Sequence, residues 1–146
     1  MECRNVLAEA DGDIGKAIEI LKGRDLFKAE KKKQRVTTQG LVEAYIHTGG
    51  RIGAMVELNC ETDFVARTNE FKQLAHDLAM QVAAMSPQYI SKEEIPAGCD
   101  ITESACLTLQ PFIKCAEMTI QDLINQTIAK LGENIQVKRF ARFEVG

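Results

Sequence analysis

Few residues in this chain could do chemistry, and most of them stand apart from one another. His47 and His76 could act as general bases or metal ligands. One falls in an expected strand and the other on the polar side of an expected helix, outside any metal-ligand or triad spacing, so both read as surface or partner-facing. Gly49-Gly50-Arg51-Ile52-Gly53 is glycine-rich, as a phosphate-cradling loop is. It lies between two expected strands, however, without the strand-to-helix junction or the lysine such a loop uses, and it reads as a hairpin turn. The pair Glu93-Glu94 sits in a solvated connector and signals no general acid or base. Five cysteines, at 3, 60, 99, 106 and 115, are odd in number and form no C-x-x-C pair. That pattern points to free thiols in a reducing compartment, not to a disulfide framework or a zinc cage. No enzymatic active site, metal or cofactor is expected.

One stretch is different. Arg51 to Val65 runs as an apolar strand into a polar turn, Thr62-Asp63-Phe64-Val65, that sets an acidic residue beside a phenylalanine. Two readings stand. In the first, Asp63 meets the free amides of a helix N-terminus and Phe64 staples onto the core. In the second, Phe64 enters a partner, because a rigid aromatic loses little side-chain entropy on binding.

The elements that must position this turn follow from periodicity. Apolar residues Val6, Leu7, Ala10, Ile14, Ala17, Ile18 and Leu21, broken by Asp11-Gly12-Asp13, predict two short helices with an aspartate capping the second. Residues 25–40, with the run Lys31-Lys32-Lys33, read as a basic linker. Leu41 to His47 and Ile52 to Cys60 predict a hairpin, the second strand alternating Ile52, Ala54, Val56, Leu58 and Cys60 inward. A helix capped by Thr68 or Asn69 carries Phe71, Leu74, Ala75, Leu78, Val82 and Met85 on one side, and Pro87 stops it. Ser91 and Glu94 have capping-box spacing. A poorly patterned stretch follows, and then a second amphipathic helix from Thr119 to Leu131, ended by Gly132. A last strand, Ile135 to Val145, alternates Ile135, Val137, Arg139, Ala141, Phe143 and Val145 on one face. The expected class is α+β: an antiparallel three-stranded sheet, hairpin plus C-terminal strand, with helices packed on one face.

A length of 146 residues with 45% hydrophobic content suits one core of ordinary size. No apolar run approaches the ~20 residues of a membrane span, and no apolar core of a signal peptide follows the start, so a cytoplasmic protein without membrane contact is expected. A net charge of -3 argues against a chain whose main task is gripping nucleic acid and favours a protein partner.

Asn59-Cys60-Glu61-Thr62-Asp63-Phe64-Val65-Ala66-Arg67 resembles the signature of bacterial and organellar elongation factor Ts, the nucleotide-exchange factor for the GTPase elongation factor Tu. So do His47 to Gly53, Leu74 to Ala84, Gln110-Pro111-Phe112-Ile113-Lys114, Leu131-Gly132-Glu133-Asn134-Ile135 and Arg142-Phe143-Glu144-Val145, in family order. The resemblance implies that residues 1–24 are part of a ubiquitin-associated-type helical domain whose first helix is missing, the expected reason being a misplaced start codon. It implies that residues 41–146 form a dimerisation and Tu-binding core, compact because family material around residues 97–109 is shortened. Thr62, Asp63, Phe64 and Val65 would enter the GTPase near its nucleotide-bound magnesium, and Arg51, Ile52 and Gly53 would reach a second domain. A short, single-module chain would act as a homodimer, with Phe140 and Met55 as candidates for the dimer surface or, equally, for the core. Localisation would be a bacterial cytoplasm or an organelle of bacterial descent. Two rivals stand beside this reading. One is an RNA- or ribosome-binding module using Lys31-Lys32-Lys33 and the strand Lys138 to Arg142. The other is a Tu-binding paralogue without exchange activity.

Overall fold

The first apolar period does form a helix pair. In the computed structural model, which describes residues 2–146 and the side chains from Asn5 onward, α1 (Glu2–Glu9) and α2 (Ile14–Lys32) close on Val6, Ala10 and Ala17, with Ile20 and Leu21 against them. Cys3 lies outside the residues whose side chains are described. Asp13 caps α2 by accepting the Lys16 amide at 3.2 Å, and Arg24 grips both oxygens of Glu9 at 2.8 Å. α2 is not short: its 19 residues run through the first half of the basic segment expected to be a linker. Alanine, glutamate and lysine favour helix, and Lys31 and Lys32 in its last turn suit the negative end of the helix dipole. Ala29 joins the main core, and Lys22 reaches Asp122 at 3.3 Å, so α2 is seated against the rest of the chain.

That core lies under an antiparallel sheet of β1 (Gln39–Ile46), β2 (Ile52–Cys60) and β5 (Ile135–Glu144), in the order β1-β2-β5. The expected α+β architecture is therefore what forms. Ala54, Val56, Leu58 and Cys60 of β2 point inward against α4 (Asn69–Met85), which buries Phe71, Leu74, Leu78 and Val82. α5 (Ile120–Leu131) completes the layer with Ile120, Ile124 and Ile128, each such side chain contributing roughly 1.5–3 kcal/mol of burial. Thr68 caps α4 through the Phe71 amide, and Thr119 with Asp122 forms a full capping box on α5. Gly132, with φ of 76°, ends α5 in the left-handed conformation.

Strict alternation along β5 fails. Glu57 pairs with Arg139 but Leu58 pairs with Val137, so Lys138 is an extra residue and the strand bulges there. Beyond it the parity reverses: Phe140 and Arg142 turn toward the helices, and Phe143, expected with Ile135 on the core face, is 74% exposed on the other. Phe140 packs against the core, which decides its reading; Met55 stays 49% exposed.

The poorly patterned middle is held by buried amides. Gln81 donates to Gln110 Oε1 and the Pro111 carbonyl and accepts the Ile113 amide at 2.9 Å, while Gln110 donates to the Ser104 carbonyl. A small hairpin that periodicity did not announce, β3 (Pro111–Phe112) and β4 (Cys115–Thr119), follows. The expected capping box at Ser91 does not form. Ser91 makes no cap bond, and Glu94 instead accepts the Ile90 amide at 2.8 Å. Among the described residues no helix is long and apolar enough to cross a membrane.

At Gly40 on β1 a Cβ would press on the Leu58 carbonyl oxygen and lie 2.8 Å from the Asn59 Cα. Backbone cannot yield as a side-chain tip can. Gly40→Ala is expected to destabilise the chain by about 2 kcal/mol, a fall in melting temperature of roughly 6 °C by calorimetry.

Candidate functional site

β2 leaves the sheet at Cys60, and its next residues are fixed from several directions. Thr62, in extended backbone, caps the single turn α3 (Asp63–Ala66) by accepting the Val65 amide at 3.3 Å. The hydroxyl of Thr68 donates to the Val65 carbonyl at 2.7 Å while capping α4, so one threonine closes each end of the turn. From the α5–β5 connection, Glu133 accepts the amides of Glu61 and Thr62 at 3.2 and 3.0 Å and the Thr62 hydroxyl at 2.7 Å. The Asn134 amide donates to Glu61 at 2.7 Å, and the Asn134 side chain donates to the Arg35 carbonyl at 2.8 Å.

Within this frame the residues of the turn divide sharply. Val65 and Ala66 are 5% and 8% exposed and belong to the core, whereas Phe64 is 79% exposed. Asp63 pairs with Arg67 one turn on, on the solvent side. The reading in which Phe64 staples onto the core and Asp63 caps the helix is therefore overturned: Thr62 is the cap and Phe64 points into solvent. An apolar ring held outward costs hydration and does no internal packing. Its neighbour Asp63 is an acceptor whose exposed i,i+4 ion pair is worth about 0.3–0.5 kcal/mol, so the carboxylate can change partners cheaply.

The second predicted group sits elsewhere. Gly49 and Gly50, with φ of 96° and 71°, reverse the chain, and Gly50 donates to the His47 carbonyl at 2.9 Å. Arg51 is exposed at this tip, with Ile52 and Gly53 half-buried. The tip and the Phe64 turn stand at opposite ends of β2, a strand of nine residues that spans roughly 27 Å at the rise of an antiparallel strand. They are not brought together in one copy.

His47 and His76 form no catalytic pair: Tyr45 lies between them, its hydroxyl 3.0 Å from His47 Nδ1 and its ring edge-on to His76. The basic strand is partly engaged, with Arg139 on Glu57 and Arg142 donating to the Ala83 carbonyl. Lys31 stacks over Phe27 at 4.3 Å. Glu133 and Asn134 were given no role from sequence, although a carboxylate and an amide directly after a glycine helix stop were a usable signal. Of the outer sheet face only Met55 was offered from sequence. Val42, Ile46 and Phe143 are exposed there beside Met55, with Ile46 and Phe143 flanking Gly53 across the strands.

Residues 9–110 match the family model described as Elongation factor TS. Both the Phe64 turn and the Arg51 tip fall inside that range. Proteins named Elongation factor Ts from Carboxydothermus hydrogenoformans and Syntrophomonas wolfei are each 45% identical to the chain over its whole length, covering 82% and 83% of their own. One from Caldanaerobacter subterraneus is 46% identical, with 88% of it covered. These alignments span 177 positions against a chain of 146 residues, so the relatives carry internal stretches that it lacks.

Cys60 lies beneath the turn, its thiol donating to the Thr62 carbonyl. Burial, and after it the charge of Glu133, push this thiol from the ordinary 9.0 up to about 11. At pH 8 a thiol reagent is expected to label exposed Cys99 and spare Cys60. Because the folded value is the higher one, the contribution is complete below pH 9 and is lost as pH rises toward 11. The melting-temperature gap between the native chain and Cys60→Ala should narrow across that interval.

Proposed function

The chain belongs to the elongation factor Ts family and so is a translation elongation factor, and from that premise we propose that it releases GDP from elongation factor Tu by inserting Phe64 beside the magnesium and phosphate site. One observation carries the reading: Phe64 is 79% exposed on a turn whose next two residues are buried. GDP on such a GTPase is held by backbone amides around its phosphates and by a magnesium ion bridging protein and β-phosphate. A ring pushed between the elements behind that site shifts the ligands. Asp63, loosely held by Arg67, competes for their hydrogen bonds, and Thr62 and Val65 anchor the turn as it presses. No bond is made or broken in the protein. Factor and nucleotide each weaken the other's hold on the GTPase, which is a linkage effect and needs no chemical active site.

The hairpin tip of Arg51, Ile52 and Gly53 is the second contact, with another domain of the GTPase. Set at the other end of β2 from the Phe64 turn, it serves best from a second copy. The outer sheet face suits that copy. Val42, Ile46, Met55 and Phe143 form an exposed apolar face opposite the helices, and a two-fold pairing would bury the same patch on both protomers. One protomer then supplies Asp63 and Phe64, its partner the tip. α1 and the first part of α2 are the residue of a helical domain in this reading.

Release of fluorescent GDP from elongation factor Tu tests the first proposal. Phe64→Ala is expected to slow release about thirtyfold, equivalent to the roughly 2 kcal/mol of an aromatic anchor, with the melting temperature unchanged because the ring packs on nothing. A complex that forms without acceleration would instead mark a binder.

Light scattering tests the second. The native chain is expected at twice the monomer mass, and the double variant Met55→Glu, Phe143→Glu at the monomer mass.

A further inference from the structure

α3 cannot hold a direction by itself. It is one turn of four residues, and a single helical turn fixes several dihedral angles for one hydrogen bond. Its own cap, Thr62 Oγ1 to the Val65 amide, is 3.3 Å long. The shorter bonds come from more than seventy residues further along. Glu133 gathers three donors from two successive residues, and the shortest of them, at 2.7 Å, is the Thr62 hydroxyl. A hydroxyl has one proton. With that proton committed to Glu133 Oε2, the lone pairs of Thr62 Oγ1 are left for the Val65 amide, so the distant carboxylate sets the rotamer that caps the turn. Bonds to an ionised acceptor are about twice as strong as neutral ones. The Asn134 amide returns the tie by donating to Glu61 at 2.7 Å, which locks the two connections face to face.

We infer that Glu133 is a positioning residue for nucleotide exchange: it fixes the β2–α3 turn from outside and thereby aims Phe64. The inference rests on the reading of Phe64 as the inserted side chain. Glu133 acts through the turn, since both its oxygens are occupied by Glu61 and Thr62.

The full chain and elongation factor Tu loaded with fluorescent GDP supply the test, using Glu133→Ala, Glu133→Gln, Phe64→Ala and the double variant Phe64→Ala, Glu133→Ala. Glu133→Ala should lower the maximal release rate about tenfold, the loss of roughly one charge-assisted bond's worth of order, with complex formation retained. Glu133→Gln keeps one acceptor oxygen and should fall between the native rate and that of Glu133→Ala. The double variant should be no slower than Phe64→Ala, because a residue that acts by aiming the ring has nothing left to aim. Amide hydrogen exchange should quicken at Val65, Ala66 and Arg67 in Glu133→Ala while Leu78 and Val82 in α4 stay protected. That last pattern separates a loosened turn from an unfolded chain.

A double variant slower than Phe64→Ala by the full factor, or unchanged exchange at the turn amides, would overturn the role. If Glu133→Ala does not fold, the rate of Glu133→Gln and its turn amides decide in its place. Native release rates in Phe64→Ala would remove the wedge reading itself, and the role of Glu133 in exchange with it, even where the turn amides had quickened.

Discussion

Strand β2 is the member on which the remaining elements depend. Among the described residues it alone is paired along both edges, it sends Ala54, Val56, Leu58 and Cys60 into the helical layer, and its two ends carry the surfaces proposed to meet the partner. A slip of one residue would exchange its buried and exposed faces entirely, so the packing of four side chains fixes where both ends point. The apolar core therefore does more than stabilise. It sets the separation and relative orientation of the hairpin tip and the Phe64 turn, the two surfaces proposed to meet the GTPase.

The turn beyond β2 uses a different device. Directionality there comes from hydrogen bonds that converge from three parts of the chain: the cap of α4, the α5–β5 connection, and through Asn134 the segment after α2. Burial of Val65 and Ala66 supplies the anchor, and the polar ties supply the angle. Such a division suits a largely exposed aromatic, whose direction the core packing does not set.

Much of this was legible in the sequence where the period was clean. β2, α4 and α5 each show one face, and the caps at Thr68 and Gly132 stand where the spacing put them, with Thr119, read as the first residue of α5, turning out to be its cap. The long α2 was hidden because lysines read equally as solvated linker and as helix terminus, and only seating against α5 distinguishes them. The second half of β5 was misread for a different reason: one extra residue leaves composition untouched and inverts every side chain after it. Phe64 carried both a structural and a functional reading, since an aromatic after a cap is equally apt to fold inward, and its exposure belongs to the tertiary structure alone. The bonds of Glu133 join it to residues more than seventy positions away, so its place after a glycine helix stop could mark it in the sequence but not name its partners.

The bulge at Lys138 divides β5 into two halves of opposite parity, and this bears on how the strand can change length. Before the bulge, odd-numbered positions face the helices; after it, even-numbered ones do, so Arg142 reaches the end of α4 while Phe143 meets the outside. Removal of Lys138 would not simply shorten the strand. It would take out the unpaired residue and the bulge with it, leaving a regular strand in which Arg142 still faces the helices and Phe143 the open side. The extra residue thus acts as a phase shifter, letting side chains of one sequence parity face the core before it and those of the other parity face the core after it.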